Sequence, residues 1–128
     1  MAVRKSIVLV SGEQKELAVG DALTGLRMGS FFLKTVTDQT IVLISYATFA
    51  IRINSVKNIK TSAGTVSAAF KINGTNITGL SSVSVTSTTQ SPNASALNTM
   101  VAGDRLTIVL SSSASSPVDL EFTLDLEV

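Results

Sequence analysis

The sequence that decides the fold is Asp119-Leu120-Glu121-Phe122-Thr123-Leu124-Asp125-Leu126-Glu127-Val128. Polar and apolar residues alternate in it without a break. Successive side chains of a β-strand point to opposite faces, so this period of two predicts a strand with its apolar side chains in a core and its acids in water. A helix would need apolar residues three or four positions apart. The stretch therefore indicates an amphipathic β-strand.

Three other stretches alternate in the same way. Their apolar positions are Val66, Ala68, Phe70 and Ile72, then Leu106, Ile108 and Leu110, and also Phe49, Ile51 and Ile53. None of these stretches has helical spacing, so each predicts a further strand with one face toward the core.

Turn-forming residues separate these predicted strands. Asn73-Gly74 lies between two of them, and both residues tolerate the positive φ of a type I′ hairpin. Other breaks fall at residues 62–64, at Gly79, at residues 91–93 and at residues 111–117. Strands spaced in this way predict an all-β fold, more narrowly an antiparallel, jelly-roll-like β-sandwich.

The composition fits one domain without covalent cross-links. The chain has 128 residues, of which 15% are charged, and it contains no cysteine, histidine or tryptophan. A disordered chain would combine low hydrophobicity with high net charge. This chain has 45% hydrophobic residues and a net charge of +1, so disorder is excluded. The absence of cysteine excludes disulfides, thiolate metal sites and a cysteine nucleophile.

Charge is unevenly distributed along the chain. Residues 1–60 carry eight Lys and Arg against four Asp and Glu, a balance of +4, and residues 61–128 carry two against five, a balance of −3, which together give the net charge of +1. Either neighbouring subunits dock through complementary charge, or the solvated faces of one subunit differ. A nucleic-acid partner would need a clustered basic patch with interleaved aromatic residues, which the sequence lacks.

No catalytic or cofactor-binding pattern is present in the sequence. Without His or Cys, a reaction would depend on partnered Asp, Glu, Lys, Ser or Tyr side chains. The acids Asp119, Glu121, Asp125 and Glu127 could in principle flank a glycosidic bond or bind Ca²⁺, but alternation explains them as the wet face of one strand. We therefore expect a protein that is not an enzyme and has no cofactor or metal site.

The N-terminal residues contain a short apolar run after two bases. Arg4 and Lys5 precede Ile7, Val8, Leu9 and Val10, an arrangement that superficially resembles a signal peptide. The run is too short, and charge follows it where a cleavage site needs small neutral residues, so we interpret it as a strand. No stretch reaches the roughly 18 apolar residues of a membrane span, which predicts a soluble protein made in a cytoplasm, with no membrane partner.

A boundary is expected near residues 25–29, which divides the chain into residues 1–26 and 27–128. The first part carries the bases Arg4, Lys5 and Lys15 and the run Ile7, Val8, Leu9 and Val10. We predict that this part docks on a larger particle by adding its strand to the edge of a neighbour's sheet. The alternative is that the run is simply the first strand of the same sandwich.

One apolar run has no alternation. From Ile41 to Ile51, apolar residues occupy odd and even positions alike. Because alternate residues of a strand face opposite sides, this predicts a strand covered on both faces. The second cover is predicted to be a neighbouring subunit that contacts Ile41, Leu43, Ile44, Tyr46 and Phe49. The alternative is a central strand wrapped by loops of its own chain.

The sequence also resembles a family of viral proteins. The similarity lies in Ser62-Ala63-Gly64-Thr65-Val66, Phe70-Lys71-Ile72-Asn73-Gly74-Thr75, Ile77-Thr78-Gly79-Leu80, Val101-Ala102-Gly103-Asp104-Arg105-Leu106 and Asp119-Leu120-Glu121-Phe122-Thr123-Leu124. These segments resemble small β domains of virion proteins from tailed bacteriophages, and residues 11–21 resemble the segment that begins many phage fibre proteins.

The resemblance implies a virion subunit that forms a homotrimer. It would decorate or cement the capsid or form a short head or collar fibre, docked on the major capsid protein or on a neck or tail protein. The alternative is a tail-side appendage that binds a glycan or protein of the host surface. A bacterial adhesin would need an export signal, which we do not find.

Overall fold

The computed structural model describes residues 7–10, 13–16 and 28–128, and all secondary structure in these ranges is β. The strands are β1 Ile7–Val10, β2 Glu13–Glu16, β3 Met28–Thr35, β4 Gln39–Ile44, β5 Ile51–Lys60, β6 Ala63–Ile72, β7 Thr75–Asn76, β8 Val83–Val85, β9 Thr99–Met100 and β10 Leu106–Glu127. The ranges contain no helix that could cross a bilayer. β1 and β2 pair with each other as an antiparallel two-stranded sheet.

The other strands form one eight-stranded sheet around β10. The first part of β10 lies between β4 and β6, with Ile108 opposite both Ile41 and Phe70. The second part lies between β3 and β5, with Leu124 opposite both Gly29 and Val56. All these pairings are antiparallel. Because β10 has a neighbouring strand on each side in both of its parts, it is the central strand of the sheet.

The segments on the two sides of β10 are interrupted at the same level. Residues 28–44 run antiparallel along one side of β10 with a break at residues 36–38, and residues 51–72 run antiparallel along the other side with a break at residues 61–62. These breaks lie beside residues 111–119 of β10. The Val36 N–H donates to the Pro117 carbonyl at 3.2 Å, and the Ser62 N–H donates to the Val118 carbonyl at 3.0 Å. We call this line of adjacent interruptions the fold line.

The sheet curls over at the fold line. Phe70 is opposite Ile108, and Phe122 lies 14 positions further along β10, a separation of about 46 Å in a flat strand at about 3.3 Å per residue. The rings of Phe70 and Phe122 nevertheless meet edge to face, with their centroids 5.4 Å apart. Phe31 stacks on Phe122, with ring centroids 5.0 Å apart. The two ends of one sheet therefore enclose a single core.

The opposite end of the molecule is closed by three short connections. The Ala47 N–H donates to the Asp104 carbonyl, and the Gly103 N–H donates to the Ala47 carbonyl. The Asn73 side chain donates to Asp104 and accepts from the Arg105 N–H. Residues 45–50, 73–74 and 101–105 thus form one hydrogen-bonded group, which we call the loop end.

Most of the predicted periodicity is confirmed. The apolar positions of the alternating stretches in β5, β6 and β10 are buried, and Asn73-Gly74 forms a two-residue hairpin with φ of 51° and 82° and with Ile72 opposite Thr75. The all-β class and antiparallel pairing are therefore confirmed. The jelly-roll-like sandwich stays a prediction, because the core is enclosed by one continuous sheet.

Three local expectations were wrong. Residues 111–117 are not a loop that ends a strand, because β10 continues through them for 22 residues with local irregularities. Phe49 precedes β5 and lies on the loop end with 38% of its surface exposed. Val128 continues the alternating apolar positions of β10 and was expected in the core, but it is 41% exposed because β10 ends at Glu127.

Gly64 allows the strands to approach at the fold line. Its φ is +72°, and a Cβ at this position would lie 2.5 Å from Pro117 Cα. We predict that Gly64→Ala costs about 3 kcal/mol of unfolding free energy, from left-handed backbone strain and a backbone clash together. Gly74→Ala is the matched control, because Gly74 has φ +82° and no atom within 4 Å of an added Cβ.

The control should lose only the strain, about 1 kcal/mol, in urea denaturation. Equal losses in the two variants would show that close packing of Gly64 on Pro117 does not matter for stability.

Candidate interaction surfaces

The outer face of the sheet carries rows of side chains across β3, β10 and β5. Glu121 is opposite Phe32 on one side and Lys60 on the other, and Thr123 is opposite Ser30 and Lys57. Lys60 Nζ lies 3.6 Å from Glu121 Oε1, and Arg52 forms an ion pair with Glu127. The basic β5 thus lies beside the acidic end of β10, so much of the charge asymmetry along the sequence is matched within one chain.

The acids of β10 contact separate neighbours. Asp119 accepts a hydrogen bond from Ser62 Oγ at 2.7 Å, and Asp125 accepts one from Ser55 Oγ at 3.4 Å. Among the described residues, no group of three or more acidic side chains is close enough to hold a metal ion. The acids are the solvated face of the strand, as their alternation predicts.

A cavity of about 370 Å³ opens between β3 and β10. Its lining residues are Ser30, Phe31, Phe32, Asn58, Glu121, Phe122 and Thr123. Asn58 reaches it from a β-bulge, because four residues of β5 from Lys57 to Lys60 face three of β10 from Glu121 to Thr123. The positive φ of Asn58, 54°, belongs to this bulge, and bulges commonly redirect a side chain.

The two long edges of the large sheet differ. Residues 90–100 cover one side of β5 through β9 and through bridges from Gln90 and Asn93, and β7 and β8 cover β6. Within the described residues, β3 and β4 pair only with β10 and form an open edge. Exposed apolar side chains lie on that edge, at Met28, Phe32 and Val42.

The predicted subunit interface is divided by the structure. Ile41, Leu43 and Ile44 belong to β4 and pack, half-buried, against the core of the same chain. Tyr46 and Phe49 lie on the loop end, where Tyr46 is 66% exposed. The run is therefore not one strand with two apolar faces, because β4 ends at Ile44 and the Ala47 backbone is bound to residues 103–104.

Sequence reasoning did not single out Phe32, Val42, Asn58 or Val101 as surface features. The sequence does contain an indication that Phe32 is exposed. Phe32 alternates with Ser30 and Lys34, so it lies on the same, otherwise polar face of the strand. Val101 is 57% exposed on the loop end, where Gly103 approaches the Tyr46 ring, but no sequence pattern predicts that neighbourhood. The bulge at Asn58 had no signal in the sequence either.

The predicted docking residues are described only in part. Arg4 and Lys5 lie outside the described residues. Strand β1 consists of Ile7, Val8, Leu9 and Val10. It pairs with β2, which contains Lys15. Their role in docking stays a prediction.

Two carboxylates hold neighbouring segments together. The backbone N–H of Val101 and the side-chain amide of Asn73, each 2.8 Å from Asp104, lower the pKa of its carboxyl below the ordinary 3.8. At the fold line, the backbone N–H and then the side chain of Ser113 lower the pKa of Asp38. Both carboxylates are fastened to the backbone as charged acceptors.

Comparison with known proteins gives only distant similarity. No family model and no curated protein matches the chain. A chain in the crystal structure of the T13 particle of infectious bursal disease virus is 13% identical, with a TM-score of 0.39 over 94% of this chain and 34% of that one. A structure of the Gt strain of the same virus gives 13% identity and a TM-score of 0.35 over 94% and 36%. This chain spans about a third of both, and the TM-scores are too low to establish a shared fold.

Acid should weaken the loop end through Asp104. Because the pKa of Asp104 is lower in the folded chain than in the unfolded one, its contribution to stability is present above pH 3.8 and is lost as the pH falls through the folded value. We predict that Asp104→Asn lowers the Tm at neutral pH and that its difference from the unsubstituted protein narrows in acid. A difference in Tm that is independent of pH would contradict this role.

Proposed function

We propose that this chain is a structural subunit of a virus particle that acts by assembly with copies of itself. The observation that carries the proposal is the edge formed by β3 and β4, which is open within the described residues and bears exposed apolar side chains while the opposite edge is covered. The family resemblance narrows the proposal to a bacteriophage protein that decorates or cements the capsid or forms a short head or collar fibre.

The physical argument starts from the backbone groups of the edge. β3 has eight residues and β4 has six, and Lys34 is the one charged residue in these two strands. Exposed strands of this length offer unpaired N–H and C=O groups to other chains, and natural proteins usually protect them with charges, proline or a covering segment. A neighbouring subunit that pairs with the edge would supply that protection.

The proposed assembly is a homotrimer of jelly-roll-like subunits. Ile41, Leu43 and Ile44 place the apolar part of β4 at the open edge, and Tyr46 and Phe49 continue it onto the loop end. In this arrangement residues 1–26 dock on the major capsid protein or on a neck or tail protein. The fibre or decoration subunit has no catalytic role in the proposal.

A second candidate function is a tail-side appendage subunit that binds the host surface. The cavity of about 370 Å³ on the outer face favours it, because the cavity contains polar side chains and lies on a different surface from β4. Its partner would be a glycan or protein of the host cell. The two candidates share the assembly and differ in location on the particle.

Assembly is tested by the mass of the protein in solution. We predict about 40 kDa by light scattering, three times the chain mass of 13.3 kDa. Phe49→Asp should reduce this to the single-chain mass while far-UV circular dichroism still reports a folded chain, because Phe49 is 38% exposed in one chain and a neighbouring subunit would bury the carboxylate further. Leu97→Asp is the matched control, since Leu97 is 65% exposed and has the positive φ that Asp tolerates.

The control variant should keep the trimer mass. A single-chain mass for the unsubstituted protein at micromolar concentration would contradict the proposed assembly in solution. Loss of the trimer in both variants would show that Phe49 has no special place in the interface.

Docking on the particle is tested by deletion of residues 1–26. We predict that residues 27–128 fold, remain trimeric and no longer enter particles, because the deleted part supplies the attachment strand. Electron microscopy of particles made with either chain would measure incorporation and would locate the subunit on head, collar or tail. If the truncated chain aggregates, the deleted residues belong to the core and the proposed attachment is wrong.

A further inference from the structure

We propose that the cavity between β3 and β10 is a binding site for an uncharged sugar ring. All seven lining residues come from one chain, so a single subunit supplies the complete site. This inference rests on the second candidate function, the tail-side subunit that binds the host surface, and it names the chemical class of the ligand. It would also remain a property of the subunit if the particle location proved different.

The first argument is the exposed aromatic wall. Phe32 is 58% exposed and lines the cavity, although Ser30 and Lys34, which share its face of β3, are polar. Aromatic rings offer a large, flat apolar surface with a negative π face, on which the polarised C–H groups of a pyranose can pack. The volume of about 370 Å³ lies at the lower end of the range of small-molecule sites.

The second argument is the mixture of hydrogen-bonding groups that line the same cavity. The Asn58 backbone N–H donates to Ser91 Oγ at 3.1 Å, while its side-chain amide has no partner among the described residues. The amide offers both a donor and an acceptor. Ser30 Oγ and Thr123 Oγ1 lie 3.3 Å apart and add two hydroxyl groups. Sugar hydroxyls both donate and accept, so adjacent hydroxyls of one ring can match such a set.

The third argument concerns the charge of the site. Glu121 is the acid of the cavity, and Lys60 Nζ lies 3.6 Å from its Oε1, which leaves Oε2 to accept a hydrogen bond. An aromatic ring beside an uncompensated carboxylate would favour a cation such as the guanidinium of arginine. Because Lys60 pairs with Glu121, this acid does not favour a cation, and the lining hydroxyl and amide groups suit an uncharged ligand with many hydroxyl groups.

The test is an NMR titration of the full chain labelled with ¹⁵N. The probes are the methyl glycosides of glucose, galactose, mannose and N-acetylglucosamine, with N-acetyl-arginine amide as the cationic probe. We expect at least one glycoside to shift the amide resonances of Ser30, Phe32, Asn58 and Thr123 with a Kd of about 1 mM, and its epimers to bind more weakly. Phe32→Ala should weaken that binding about tenfold by removal of the aromatic surface.

Leu97→Ala is the matched control, because it removes an exposed apolar side chain that neither lines the cavity nor belongs to the proposed subunit interface, and it should leave the Kd unchanged. The proposal is overturned if no glycoside shifts these resonances at millimolar concentrations, or if Phe32→Ala and Leu97→Ala weaken binding equally. Binding of the arginine probe without any glycoside would also overturn it, in favour of a peptide site. None of these results depends on the oligomeric mass, so a failure here is separate from a failure of the proposed assembly.

Discussion

The rest of the structure depends on the requirement that three long strands bend at the same level. If only one strand turned, its ladder hydrogen bonds to its neighbours would break, and unpaired backbone groups in a core are costly. The chain meets this requirement with adjacent breaks at residues 36–38 and 61–62 beside the irregular residues 111–119 of β10, joined by backbone bonds from Val36 and Ser62. Residues with positive φ and the close approach of Gly64 to Pro117 accommodate the change of direction. The edge-to-face contact of Phe70 and Phe122 is possible only after that turn.

The curl also decides which parts of the surface are available. One face of the sheet is turned inward as the core, so the acids of β10 and the bases of β5 share the outer face and form ion pairs there. Residues 90–100 and the short strands β7 and β8 cover one long edge. The edge made by β3 and β4 remains open within the described residues, next to the loop end. The open edge and the cavity beside Phe32 are therefore consequences of the same curled sheet.

Local periodicity could be predicted from the sequence, and the long-range arrangement could not. Alternation in residues 66–72 and 106–110 reports the inward and outward faces of a strand directly, and Asn73-Gly74 specifies its turn chemically. Residues 111–117 contain several serines and a proline, which is the composition of a loop, yet neighbouring strands hold this segment within β10. That outcome depends on partners distant in sequence. The bulge at Asn58 has the same origin, because it arises from the register of β5 against β10.

The low charge of the chain can be understood from the same geometry. Ion pairs on the outer face are exposed, and such pairs contribute little to stability, so the sequence has little need of more of them. Hydroxyl side chains suit exposed strand positions and can be buried against a partner at lower cost than charges. An outer surface of this kind suits close association with neighbours or with polyhydroxylated ligands. Phe32 departs from this polar surface, as do Met28 and Val42, and exposed apolar side chains grouped on one part of a surface point to contact with something outside the chain.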